Sequence, residues 1–306
     1  SLGGGISNIG GALTAGVTAP IIAAAGASVK AAIDIDSGLA SVKKTVDGTE
    51  EQYQQLKDAA IEFSQTNAVG ADQMHEIDAL GAQLGFTIDE LELFGQVASG
   101  LDIATNMDAE TASSEMAQFA NITRMAHGDI ERYGSTIVNI GNNMATTESK
   151  VSSMAQRIAA AGTQTKMSQA DILGWAGAMS SLGIEAELGG TAFSTTISTI
   201  DAAVATGGEN LEKFAKIAGK SSEEFAEQWK TNSTEAFKEL LSGVDSAENM
   251  TIALEEMGVT GIRQSDVLKR LSGNTDLVSE ALKTANDGWN ENTAVSYTHL
   301  RAHETP

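Results

Sequence analysis

The side chains able to carry chemistry are few, and their spacing limits what each could do. His75 is followed by Glu76 and Asp78, an imidazole with carboxylates one and three positions on, which is raw material for metal ligation or proton transfer. His127 stands before Gly128, and His299 and His303 lie four apart, the step that puts two imidazoles on one helix face. A zinc site needs several converging ligands, and His75 has no second histidine at ligand spacing. It reads as an ordinary polar helix residue, and His127 as a residue near a helix end. The carboxylate pairs Asp34/Asp36 and Glu185/Glu187 belong to a chain with 41 acidic residues, where a solvated face accounts for them. Gly3-Gly4-Gly5 lacks the preceding strand and the Lys-Ser/Thr pair of a phosphate loop. A catalytic centre needs a nucleophile or an acid/base pair held by a third group, and none assembles from these residues. The sequence assigns no catalytic, cofactor-binding or metal-binding residue, implies no cofactor, and predicts a protein that is not an enzyme.

The elements that would position such residues are helices. The chain has 306 residues, 31 of them glycine and only two proline, with 5% aromatic side chains, so its core must be built mostly from Ala, Leu, Ile, Val and Met. One internal proline, Pro20, leaves helices almost uninterrupted, while glycines can end them. The net charge of −22 would repel a polyphosphate, and no basic cluster offsets it, so specific nucleic-acid binding is not expected. The absence of cysteine removes disulfides and thiolate metal sites and fits a reducing compartment.

Helical periodicity recurs along the chain. Tyr53, Leu56, Ala60 and Phe63 form one stripe; Met74, Ile77, Leu80 and Leu84 another; Leu91, Phe94, Val97 and Leu101 a third. Met116 with Phe119, then Ile130, Tyr133, Ile137 and Ile140, then Val151, Met154 and Ile158 continue the pattern, followed by Ile172, Trp175, Met179 and Leu182. The densest punctuation falls between Leu188 and Lys230. There Phe193, Ile197, Ile200 and Val204 end at Gly207-Gly208, Leu211, Phe214 and Ile217 end at Gly219, and Ser221 to Glu224 forms a capping box ahead of Phe225 and Trp229. Thr49 to Gln52 and Thr87 to Glu90 are two more such boxes. Later stripes include Phe237, Leu240 and Leu241, then Met250, Leu254 and Met257, and finally Leu277, Ala281, Leu282 and Trp289. Trp175, Trp229 and Trp289 read as core anchors.

The expected fold class is therefore all-α, a multi-helix array or bundle of about a dozen short amphipathic helices with glycine-marked turns. Four regions are expected. Residues 1–33 form an uncharged, small-residue N-terminal segment, with a helix starting near Thr18 and Pro20 and running toward Val42; residues 34–162 form a first helical region. The polar run from Gly162 to Lys166 is the linker candidate, and residues 163–294 form a second helical region. Residues 295–306 form a tail of different character, whose SYTHLRAHETP resembles a translated sequencing adapter and is expected to be non-native. With no initiating methionine, the chain is expected to be a fragment or a trimmed form of its protein.

One ordered set of segments resembles a known family. Thr206 to Ala215, Ala218-Gly219, Ser222 to Phe225 and Trp229-Lys230 resemble the tail tape measure proteins of long-tailed bacteriophages. Leu13-Thr14 with Val17 to Ile21 is similar to the family's entry segment, followed by Asp34 to Lys43. Ser180 to Ile184 with Gly189-Gly190-Thr191 is similar to its mid-region turn, and Met257 to Leu271 with Glu291 to Ala294 to a later boundary. The resemblance implies a structural protein of the tail that templates tail-tube polymerisation and sets tail length. It would lie in the tube lumen of the virion, after a host-cytoplasm assembly stage, and leave during DNA ejection. The implied partners are tail-tube subunits, tail assembly chaperones, tail-tip and baseplate proteins and further copies of itself. Short glycine-broken helices describe a bundle better than a rod, so the length-setting rod is expected beyond residue 294. Two alternatives stand beside this: a membrane-active module using the uncharged Ser1 to Val29, with transient membrane contact, and a cytoplasmic helical scaffold unrelated to phage.

Overall fold

A computed structural model describes residues 33–293. The described residues contain fifteen α-helices, one 3-10 turn and no strand, so the chain is all-α. The expected uncharged segment and the adapter-like tail lie outside the described residues, except that the helix predicted to reach Val42 is present as α1, residues 33–45. The chain divides into two compact units, with the division between Glu92 and Leu93.

The first unit holds α1, α2 (Glu50–Thr66), α3 (Ala71–Gln83) and the start of α4 (Ile88–Ala104). Thr49 caps α2 through the predicted box: its hydroxyl accepts from the Gln52 amide at 3.2 Å and its amide donates to Gln52 Oε1 at 2.8 Å. Tyr53, Leu56 and Ala60 are buried from α2, Met74 and Ile77 from α3, and Leu39 and Val42 from α1. Phe63, Leu80 and Leu84, expected inward, are only half-buried. Lys57 of α2 holds Asp36 of α1 at 2.5 Å, and this cation keeps the Asp36 carboxyl below the usual carboxylate range.

The second unit takes in the rest of α4, then α5 (Ala109–Thr123), a turn at His127–Asp129, α6 (Ile130–Asn143), α7 (Glu148–Gln164), α8 (Gln169–Ser181) and α9 (Ala186–Thr206). Five shorter helices follow, α10 (Glu209–Ile217), α11 (Ser222–Thr231), α12 (Ser233–Asp245), α13 (Met250–Glu256) and α14 (Ile262–Ser272), before the long α15 (Thr275–Glu291). α7 packs against α5, α8 and α9, while α15 returns to lie along α6 and α8. The predicted stripes supply this core: Ile130, Tyr133, Ile137 and Ile140 of α6 and Val151, Met154 and Ile158 of α7 are all fully buried.

Polar side chains fix the seams. Asp171, in the first turn of α8, accepts from Thr234 of α12 at 3.1 Å through one oxygen and from Asn286 of α15 at 3.0 Å through the other. Asp201 of α9 accepts likewise from Trp229 Nε1 at 3.2 Å and Gln164 at 3.1 Å. Arg132 donates to the Trp289 carbonyl at 2.8 Å and Asn139 to the Thr284 carbonyl at 2.8 Å, tying α6 to α15.

Several expectations are corrected. Gly162 to Lys166 is not a linker: it closes α7, Thr165 is buried, and α7 packs directly on α8 beyond it. The compact units part within α4 instead, where a continuous helix hides the division from any reading of composition. Gly189-Gly190 is not a turn but lies in α9, where a Cβ on Gly190 would overlap Arg157 of α7; small residues let two backbones approach. The turn is at Gly183, whose φ of 69° suits glycine. Trp289 is half-buried, and Val278 rather than Leu277 points inward on α15.

The Ser221 box forms as predicted: its hydroxyl accepts from the Glu224 amide at 3.2 Å, and its amide donates to Glu224 Oε2 at 3.0 Å. Ser221→Ala leaves the Glu224 amide without its side-chain acceptor and should cost the second unit about 1 kcal/mol, while Ser221→Gly should cost only about a few tenths. Urea unfolding followed by circular dichroism measures both, and equal costs for the two variants would show that the cap contributes nothing specific.

Candidate functional site

Of the residues with chemical potential, the structure brings together His75 and Asp78, as a buried pair. Both lie on the core side of α3, at 0% and 1% exposure, with Nδ1 and Oδ2 3.3 Å apart. The reading of His75 as an ordinary polar helix residue missed this burial. Glu76 on the same helix is exposed. Burial raises the Asp78 carboxyl to about 6, against the lowering influence of His75 and with a further rise from the Glu92 charge. His127 opens the half-buried turn before α6, and Asp36 is taken by Lys57. Gly3 to Gly5, His299 and His303 lie outside the described residues. Among the described residues no group of three or more His, Asp or Glu side chains is placed to hold a metal ion.

A second polar cluster, not signalled by spacing, joins α5, α6 and α7. Tyr133 Oη and Ser152 Oγ are 2.8 Å apart, and Gln156 Nε2 donates to the Glu115 carbonyl. Burial raises both the Glu115 carboxyl and the Tyr133 phenol. A cavity of about 360 Å³ opens beside Glu115, lined also by Lys150, Ser153, Ser180 and Glu185.

Glu185 and Glu187, noted in the sequence as a carboxylate pair, sit where α8 turns into α9 and line a larger open groove of about 720 Å³. Leu188 and Ala192 of α9 supply apolar surface, and Arg263 and Gln264 of α14 close the far side. Ile262, at the start of α14, is 88% exposed beside it. Farther along α9 the outward residues Thr195, Ser198, Thr199, Ala202 and Thr206 carry no charge and line a shallow depression. The hydroxyls of Thr199 and Thr206 donate to carbonyls one turn back, at 2.8 Å each. In so acidic a protein this uncharged face is where like-charge repulsion is least. Trp229 stacks on Phe225, with ring centroids 6.1 Å apart, inside the α9–α11 junction as an anchor.

Polar seams lock these helices together, and an uncharged face and an open groove lie outside them. Residues 57–295 match a family described as phage-related minor tail protein, and this chain belongs to that family. No curated protein and no solved structure matches it. The chain is thus a structural component of a phage tail and associated with the virion, and the expectation of a scaffold unrelated to phage falls. Among the described residues no helix is long and apolar enough to cross a membrane.

Proposed function

We propose that this chain is the folded assembly module of a tape measure protein. It acts with further copies of itself as a template on which tail-tube subunits polymerise, is handled by tail assembly chaperones in the host cytoplasm, and meets tail-tip or baseplate proteins. It occupies the tube lumen and leaves during DNA ejection. It works by packing and not by catalysis, with no cofactor. An acidic surface favours this role, since it would not adhere to DNA passing through the tube.

The observation that carries the reading is the return of α15 to α6 and α8. Bonds such as Arg132 to Trp289 and Asn286 to Asp171 fold more than a hundred residues back on themselves. A ruler must advance along its axis with each residue, at about 1.5 Å in a continuous helix. A segment folded in this way gains little length, so length-setting belongs to a rod beyond residue 294 and this module to initiation of assembly.

In an intact phage, an in-frame deletion of α10 to α12 should abolish tails altogether, as judged by electron microscopy of lysates. Tails shortened in proportion to the deletion would sink the proposal.

A further inference from the structure

The His75–Asp78 pair is not used by any packing role, and its surroundings are unusual. A carboxylate and an imidazole are withdrawn from water together, yet His75 Nε2 and Asp78 Oδ1 have no hydrogen-bond partner among the described residues. Leaving such atoms unmet is costly, and an ion pair in that position stabilises weakly. On its His75 side the pair meets the backbone of α1. Gly38 lies against the His75 side chain: a Cβ there would stand 2.9 Å from His75 Cβ, 3.3 Å from the Asp72 carbonyl and 3.6 Å from His75 Cδ2. Only glycine permits that approach.

The nearby charges do not relieve the pair. Lys57 of α2 is taken by Asp36 of α1, and Lys43 of α1 by Glu50 of α2 at 2.9 Å. Glu92 of α4 acts on Asp78 as a like charge, and α3 itself adds Asp72 and Glu76. No cation but His75 is paired with Asp78 among the described residues. Burial and the Glu92 charge therefore oppose the ionised Asp78 carboxyl beside this seam, and a proton from solvent would neutralise that carboxyl.

We propose that His75 and Asp78 form a proton-operated latch beneath α1: uptake of a proton by the pair holds α1 on α3, and its loss toward neutral pH loosens that seam.

The direction follows from Asp78. Burial raises its carboxyl from 3.8 to about 6, so the closed form holds the proton more tightly than the open form. The stabilisation is fully present below the ordinary value and is lost as pH rises through about 6; above that it stays flat. Each unit of difference corresponds to about tenfold in the closing equilibrium.

Hydrogen exchange of the full chain, wild type against Asp78→Asn at the same pH, tests this with the intrinsic exchange rates cancelled. Asparagine mimics the neutral carboxyl. From pH 4.5 to 7.5 the α1 peptides of the wild type should lose protection relative to the variant by at least about tenfold. A ratio that does not change with pH overturns the proposal, and so does a loss shared equally by α2. Gly38→Ala should release α1 at every pH and leave α2 and α3 protected. Should Asp78→Asn fail to fold, the carboxyl carbon signal of Asp78 in the wild type decides: a midpoint near 6 that coincides with loss of α1 protection supports the latch, and an ordinary carboxylate midpoint refutes it.

Discussion

Gly243→Ala should destabilise the second unit by about 3 kcal/mol, although the same change in an ordinary helix interior is stabilising by about 0.5–1 kcal/mol. Gly243 lies in α12 against the C-terminal end of α10, and a Cβ there would overlap the carbonyl oxygen of Ile217. The obstacle is backbone, so no rotamer change relieves it; α10 would have to move off α12. The Lys220 to Glu239 bridge, 2.8 Å long, spans the same seam and would be drawn apart with it. Urea unfolding measures the effect, and its sign is diagnostic: a stabilised Gly243→Ala protein would mean that α10 and α12 do not approach this closely in solution.

The second large effect is expected at Trp175. Its ring is fully buried, 5.0 Å from that of Phe237 and 5.7 Å from that of Phe193, and these two rings meet edge to face at 5.7 Å. The cluster joins α8, α9 and α12. Trp175→Ala removes the largest ring, leaves a cavity and should cost about 4 kcal/mol. Trp175→Phe should be far milder, at about 1 kcal/mol, because Trp175 Nε1 has no hydrogen-bond partner among the described residues and its loss leaves nothing newly unsatisfied. Unfolding midpoints of the two variants make the comparison. Equal costs would show that the indole nitrogen has a partner in solution.

Much of this core was legible because helix periodicity reports burial directly. Phe193, Ile197 and Ile200 repeat at helical steps and are buried, and the boxes at Thr49 and Ser221 form their reciprocal bonds. The misread places share a cause: the deciding partner is remote in sequence. Gly189-Gly190 reads equally as turn or close approach, and only Arg157 from α7 distinguishes them. Gly162 to Lys166 is polar in composition, yet the Thr165 carbonyl accepts from Ser233 Oγ at 2.8 Å, so the stretch is tied into the core. α14 was read by resemblance alone, since Arg263, Asp266, Lys269 and Arg270 mask the buried Val267, Leu268 and Leu271. The groove was hidden for the same reason, because residues 185–192 and 261–264 meet only through the fold. The burial of His75 could have been found only by knowing that Gly38 lies against it.

The docking of α15 also sets a timetable for synthesis. α6 leaves the ribosome more than a hundred residues before its partner, and at about 5–20 residues per second this is a delay on the order of 10 s. Meanwhile the strip of α6 around Thr136 and Asn139, against which Gly288 will lie, and Gly174 of α8, which will receive Leu282, have no cover from α15. A polypeptide released at any stop before Thr275 would keep that strip bare and offer it to a neighbouring nascent chain. Only a message translated through α15 therefore yields a closed second unit.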